Sequence, residues 1–381
     1  MNPQAMEGLR GHFHAQGIDA ALLSHPSTLT WLTGYAPPIQ TGPSPFEGGP
    51  ALGWWREGEL TFLASNLESA AVAASGVGVR EYLGYTIDEP LHNMAHLTAA
   101  LRDLLGGSPT KGKVAIEEDM LLAAVRDALR QSLPDASFVR CDGAFDRLRA
   151  VKSTDEIERL RKAVAVCDRA QDFVRRHAQP GMSEIELWGA LKADLEVGLG
   201  GRIPVLVDLV GGLRTAEIGG LPGGYRLQPG DPLLLDIVPR VDGYWGDNTD
   251  THDIGARGAE MDKIYRVVRQ TLRRAVEAVR PGLRARDLDA QMRGDIQRAG
   301  YPVYPHHSGH GLGASYHEEP RIVPYNDLPL QAGMVIALEP GVYLSEIGGV
   351  RLEDVVLVTD AGCEVLTTHL REDGSAVNHR G

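Results

Sequence analysis

Two apolar runs in this chain, Leu233-Leu234-Leu235 and Val335-Ile336-Ala337-Leu338, each end on a carboxylate, Asp236 and Glu339. Short aliphatic runs of this kind read as buried strands. A strand that ends in an acid brings a charge to the rim of a core, where it is costly unless neutralised. After Asp236 the chain passes Asp242-Gly243, a strong hairpin signal, and reaches Asp247 eleven positions on. The hairpin predicts Asp236 and Asp247 on neighbouring strands, where two close carboxylates repel unless a cation sits between them. The plainer alternative is one surface aspartate and one turn aspartate. A further acid, Glu353, stands beside another apolar run in Arg351-Leu352-Glu353-Asp354-Val355.

A second cluster bears on that choice. His306, His307, His310 and His317 fall within twelve residues of a Gly-rich stretch, PHHSGHGLGASYHEEP. Imidazole is a common ligand for first-row metals, and glycine lets backbone approach a site closely. Four carboxylates with one histidine form a hard-oxygen set with a single nitrogen. That mix suits a pair of Mn, Co, Fe or Zn ions better than one structural zinc.

The 381 residues are enough for two domains with full cores. In the first 150, helical and strand patterns alternate: Met6 to Gln16 as helix, Ala20 to Leu23 as strand, Leu60 to Leu63 as strand, Leu91 to Leu105 as helix. Val114 to Ile116, Leu121 to Leu129 and Phe138-Val139 continue the alternation, which argues for a mixed α/β domain. Residues 36–50, rich in Pro and Gly, read as a long surface loop. Ser153 and Glu156 form a capping box, and Ile157, Leu160, Val164, Cys167 and Val174 then follow as one apolar helical stripe, so the boundary is placed near residue 150. Beyond it a weak internal repeat is visible. A long helix, a Pro-Gly break (Pro180-Gly181, Pro281-Gly282) and a short helix occur twice, about a hundred residues apart.

A net charge of −13 disfavours nucleic acid and anionic membranes as partners. The start of the chain lacks a basic-then-apolar leader, and no apolar run approaches the roughly 20 residues of a spanning helix. The expectation is a cytoplasmic protein. Cys141, Cys167 and Cys363 lie far apart and read as small buried hydrophobes.

The segments DIVPRVDGYWGD, GHGLG, HEEP, ALEPG and RLED resemble the metallopeptidases that include methionine aminopeptidase, aminopeptidase P, prolidase and the metal-free creatinase. GIDAALLSHPSTLTWLTGY and LRAVKSTDEIERLRKA are similar to the two-domain aminopeptidase P and prolidase branch. The resemblance implies an α+β chain, with a smaller creatinase-like α/β domain over residues 1–150 that gates substrate and pairs subunits. A catalytic pita-bread domain would follow over 151–381. It implies two divalent ions, Mn first and Co, Zn or Fe otherwise, held by Asp236, Asp247, His310, Glu339 and Glu353. Asp247 and Glu353 would bridge, with a hydroxide between the ions as nucleophile. Glu339 would be general base and His317 would contact the scissile carbonyl. The implied substrate is a small peptide with proline second, cut by a homodimer. His306 is assigned to substrate contact or support, although His307 can be mistaken for it. Arg351 either orients the bridging glutamate, binds a substrate carboxylate, or forms a structural ion pair.

One departure stands out. Where the family reads L-P-H-G-L-P before the first aspartate, this chain reads Glu217-Ile218-Gly219-Gly220-Leu221-Pro222, so Gly219 replaces a substrate-holding histidine. Arg214 and Glu217 are nearby candidates to supply that contact, with a plain surface role as the alternative. The change favours, as the second reading, a hydrolase of a small non-peptide amide. Trp54, Trp55 and Tyr35 are either a wall for a proline ring or domain core.

Overall fold

The computed structural model describes residues 1–39, 49–106 and 111–370. Of the loop expected over 36–50, residues 40–48 therefore lie outside the described residues. The chain forms two compact units, Met1–Arg149 and Ala150–Gly381.

The first unit is built on a six-stranded mixed sheet of β1 (Ala20–Leu23), β2 (Leu52–Arg56), β3 (Glu59–Ser65), β4 (Gly78–Tyr82), β5 (Lys113–Ile116) and β6 (Ser137–Arg140), in the order β4-β3-β2-β1-β5-β6. Its helices are α1 (Pro3–Gln16), α2 (Pro26–Thr33), α3 (Ser69–Ala74), α4 (Asn93–Gly106), α5 (Ala123–Ser132) and α6 (Asp146–Ala150). Side chains alternate across a strand, so Trp54 joins the face with Leu22, Leu63, Leu97 and Val114, while Trp55 packs edge-on against Phe13 at 4.7 Å. Trp54, Trp55 and Tyr35 are all buried within this unit, Tyr35 donating a hydrogen bond to Glu68. They are core.

The second unit repeats one motif twice. The capping box of Ser153 and Glu156 opens α7 (Thr154–His177), followed by α8 (Glu184–Leu199). These cover a sheet of β7 (Val205–Gly211), β8 (Pro232–Val241), β9 (Tyr244–Trp245) and β10 (Asn248–Asp253). A second pair, α9 (Ala259–Ala278) and α10 (Ala285–Arg298), covers β11 (Gly309–Gly311), β12 (Glu318–Ile322), β13 (Val335–Leu338), β16 (Asp354–Val358) and β17 (Cys363–Val365). Between β13 and β16 lies the hairpin of β14 (Gly341–Leu344) and β15 (Gly348–Arg351). The repeat extends to individual hydrogen bonds. Gly181 N donates to Leu227 O and Gly282 N to Leu330 O; Leu227 N returns to Met182 O and Leu330 N to Leu283 O. Two similar halves facing each other create a cleft. Leu160, Val164, Cys167 and Val174 of the α7 stripe are buried and Ile157 is half-buried. Among the described residues no helix is long and apolar enough to cross a membrane. Cys141 and Cys167 are buried and Cys363 half-buried, all unpaired.

Candidate active site

Hairpin geometry delivers the first two acids. Asp242 and Gly243 take positive φ of 49° and 86°, as a primed turn requires, and fold β10 back on β8 so that Asp236 lies opposite Thr249. Asp247 occupies the break between β9 and β10, one residue before the strand begins rather than within it. Leu233, Leu234, Leu235 and Ile237 around Asp236 are fully buried, which fixes the strand's depth and brings the acid to the cleft.

The second half supplies the rest. His310 is the middle residue of β11, opposite Ala337 of β13, and is buried. Its Nδ1 lies 3.0 Å from Gly311 O; a carbonyl only accepts, so Nδ1 carries the proton and Nε2 presents its lone pair. That lone pair faces Asp247 Oδ2 at 3.5 Å and Glu339 Oε1 at 3.7 Å. Glu339 follows β13 directly, and Glu353 sits between β15 and β16. Glu353 is tied to the first half: its N donates to Thr249 O at 2.9 Å, and Thr249 Oγ1 donates to Glu353 Oε2 at 2.8 Å. Asp247, His310 and Glu353 place ligand atoms within 4.8 Å of one another.

The electrostatics of this cluster are unbalanced. Burial pushes Asp247, Glu353 and Asp236 above the usual carboxylate range, and their mutual repulsion, with Glu339, adds to it. Glu339 moves the other way. Against the burial that would raise it, His307, with Nε2 2.8 Å from Glu339 Oε1, and then His306 and His310 hold it low. Asp236 Oδ1 and Glu353 Oε1 are buried with no hydrogen-bond partner among the described residues. Such oxygens are expensive to leave unsatisfied, and a hard divalent cation is the group their chemistry fits.

Arg351 is buried, and its guanidinium donates to Asp236 Oδ2, to Ile218 O at 2.5 Å, to Thr249 Oγ1 at 3.3 Å and to Tyr343 Oη at 3.3 Å. Of the roles open to it from sequence, the structure pairs it with Asp236. His306 stacks on Tyr304 with ring centres 4.8 Å apart; its Nδ1 donates to His307 O and its Nε2 accepts from Tyr343 Oη at 2.9 Å. His307 is the closer to Glu339 and joins His310 and His317 as a second potential ligand group. His317 is exposed at the rim, its ring 4.3 Å from that of His310. Partial loss of water, then the rings of His310 and His307, push its pKa down to about 3, so it is a neutral donor or acceptor. Glu217 is exposed, and Arg214 is held by the buried Glu184.

Sequence reasoning passed over Thr249 and Tyr343. Both are ordinary polar residues by type, and only strand register and the β14–β15 hairpin bring them to the acids. His307 carried a signal, since it was the other histidine beside His306.

Residues 158–360 match the family model described as metallopeptidase family M24, and residues 6–151 that of the creatinase/prolidase N-terminal domain. An uncharacterized peptidase of Staphylococcus aureus (strain USA300) is 30% identical over 353 residues, 92% of this chain and 95% of its own length. The solved structure of an Xaa-Pro dipeptidase from Bacillus anthracis superposes with a TM-score of 0.80 at 27% identity, covering 96% of this chain and 97% of the other. That of a dipeptidase from Pyrococcus horikoshii OT3 gives 0.81 at 29% identity, over 97% and 99%.

Proposed function

The chain belongs to metallopeptidase family M24, with a creatinase-type N-terminal domain ahead of a pita-bread domain, and on that premise we propose that it hydrolyses the Xaa-Pro bond of dipeptides or of peptide N-termini. The observation that carries the reading is the pair of orphaned oxygens, Asp236 Oδ1 and Glu353 Oε1, inside a buried set of acids and one imidazole. Asp236, Asp247, His310, Glu339 and Glu353 are the proposed holders of two divalent ions, manganese first, with cobalt, zinc or iron able to use the same donors. When bound, the ions would neutralise the acids and supply an acidified water as nucleophile.

The protein's own groups do the remaining work. Glu339, kept low chiefly by His307 against its burial, would accept the proton released at attack. His307 Nε2, 2.8 Å from it, stabilises that carboxylate. His317 turns a neutral N–H towards the scissile carbonyl and its developing negative charge, an effect of about 2.7–4 kcal/mol where such donors have been removed. Arg351 fixes Asp236 in its rotamer. His306, braced by Tyr304 and Tyr343, lines the substrate side. Relatives named as dipeptidases favour a short substrate, with the N-terminal domain limiting its length and pairing subunits of a cytoplasmic homodimer. Gly219 favours a second reading, a small non-peptide amide as substrate.

The test is to strip the protein with chelator, restore Mn, Co or Zn, and assay Ala-Pro, Ala-Pro-Ala and Ala-Ala, with Asp236→Ala as control. Metal-dependent cleavage of Ala-Pro is expected, and cleavage of Ala-Pro-Ala as well extends the activity to an aminopeptidase. If the protein binds metal and cuts none of the three, the Xaa-Pro reading is lost and the amide reading gains.

A further inference from the structure

Gly219 has a steric explanation in this chain. A Cβ built there would lie 2.3 Å from Asp208 Oδ2 and 3.0 Å from its Cγ. The Asp208 carboxylate thus occupies the space that a side chain at 219 would enter.

Its position is set by register. Asp208 of β7 lies directly opposite Asp236 of β8, and paired residues share a face of the sheet. Asp208 therefore faces the cleft beside the buried acids. One oxygen is fixed: Oδ1 accepts from Gly220 N at 2.9 Å. The other, Oδ2, lies 3.9 Å from Arg351 Nη2, too far for a hydrogen bond. Arg351 already serves Asp236 with the same nitrogen, so one guanidinium faces two carboxylates and is engaged by the deeper one. Asp208 is also the most open acid here, its side chain 35% exposed against 19% for Asp236, 10% for Glu339 and 6% for Asp247. A carboxylate held by backbone, under-compensated, and open to water at the edge of a buried site is placed to meet a cation that arrives with the substrate.

We propose that Asp208 is a specificity-determining residue that receives the ammonium or guanidinium group of the substrate's N-terminal residue, an inference that rests on the peptidase reading above. In the free protein, water solvates the open oxygen. In the complex, a charge-assisted hydrogen bond replaces that water, and Gly219 keeps the space clear for it. The cation has two sources, the α-amino group or a basic side chain, and the substrates below separate them.

Asp208→Asn is the decisive variant, because an amide oxygen still accepts from Gly220 N while the charge is gone. Wild type and variant, matched for metal content and melting temperature, are assayed on Ala-Pro, N-acetyl-Ala-Pro and Arg-Pro. Asp208→Glu tests rescue by charge alone. If the α-amino group is the ligand, KM for Ala-Pro and Arg-Pro rises about tenfold or more with kcat changed less than twofold, and the wild type rejects the acetylated peptide. If a basic side chain is the ligand, only Arg-Pro shows the rise and the preference for it disappears. Asp208→Glu recovers part of either loss. The proposal is overturned if KM is unmoved for all three peptides, or if kcat, metal content and melting temperature fall together as for a merely structural residue. Wild type that cuts no peptide overturns the peptidase reading and this inference with it, whereas an active wild type with an indifferent variant overturns this inference alone.

Discussion

Lys152 and Glu318 form an ion pair of 2.8 Å with side chains 0% and 1% exposed. Lys152 immediately precedes the cap of α7, and Glu318 immediately follows His317. The pair therefore fastens the rim loop of the cleft to the first helix of its domain. Substituting Lys152→Met removes the cation but little volume, leaving a carboxylate in the interior whose Oε1 still accepts from Ser315 N at 3.0 Å. Breaking a buried pair from one side costs about 3–5 kcal/mol, because the remaining charge loses its opposite in the interior. For a unit of this size that is a fall in melting temperature of roughly 6–20 °C. The double variant Lys152→Met/Glu318→Gln removes both charges and is expected to recover most of the loss. Calorimetry of the wild type, Lys152→Met, Glu318→Gln and the double variant gives the coupling energy directly. Activity falls with stability in the single variant, since His317 loses the anchor beside it. A deficit below about 1 kcal/mol, or a double variant no better than the single one, would refute the reasoning.

Chelator should lower the melting temperature of the wild type and Mn should restore it; Asp236→Ala should show neither shift, and a chelator-insensitive wild type would count against the metal reading. Gly246→Ala should destabilise by about 1–3 kcal/mol, since a Cβ there meets Ala163 O at 2.5 Å and Cys167 Sγ at 2.7 Å; an unchanged melt would show that α7 yields easily. His369 is buried, yet its hydrogen bond with Asp168 and the nearby Asp250 and Asp354 outweigh burial and raise its pKa, while Asp168 is held low against its own burial by that same bond. The pair's stability is thus complete between about pH 3.8 and 6.5, lost on the alkaline side through the raised histidine pKa and on the acid side below the aspartate's ordinary value. Asp168→Asn should flatten the alkaline loss in urea melts between pH 6 and 9, and an unaltered slope would exclude the pair as its source.

The sequence made some of this architecture readable because apolar period and turn chemistry act locally. Leu233 to Leu235 and Val335 to Leu338 read as strands, and Ser153 with Glu156 read as the start of α7, because each signal is complete within a few residues. β10 shows why other elements were not. Its sequence, Asn-Thr-Asp-Thr-His-Asp, has no apolar period, yet five of its six residues are buried. They are buried because distant partners satisfy them: Gln171 binds Asn248 and His252, and Thr251 exchanges hydrogen bonds with Arg351. Residues 26–33, rich in Ser and Thr, likewise gave no helical stripe, although Pro26 at the first turn and His25 as cap start α2. At the site, the acids and His310 could be named because each terminates or flanks an apolar run. The roles of His306 and His307 could not be separated, because the rings are oriented by Tyr343 and Arg321, which lie 37 and 14 residues further along the chain. Arg351 likewise finds Asp236 across 115 residues.

The two halves of the repeat are alike in backbone but not in what they bring to the cleft. The first gives Asp236 and Asp247; the second gives His310, Glu339 and Glu353. Neither half holds the set alone, so what joins them decides whether a site exists. Thr249 is that junction. It lies opposite Asp236 in the first half, its carbonyl accepts from Glu353 N, its hydroxyl donates to Glu353 Oε2, and the same hydroxyl accepts from Arg351 Nε, whose other end holds Asp236. One side chain therefore sets the spacing between an acid of each half. A valine there would keep the shape and the strand, but would leave both Glu353 oxygens buried without a donor and free Arg351 to tilt. Cleft assembly and acid placement are thus one packing event. The repulsion that this placement stores raises the pKa of Asp247 and Glu353 beyond the effect of burial, and bound cations would relieve it.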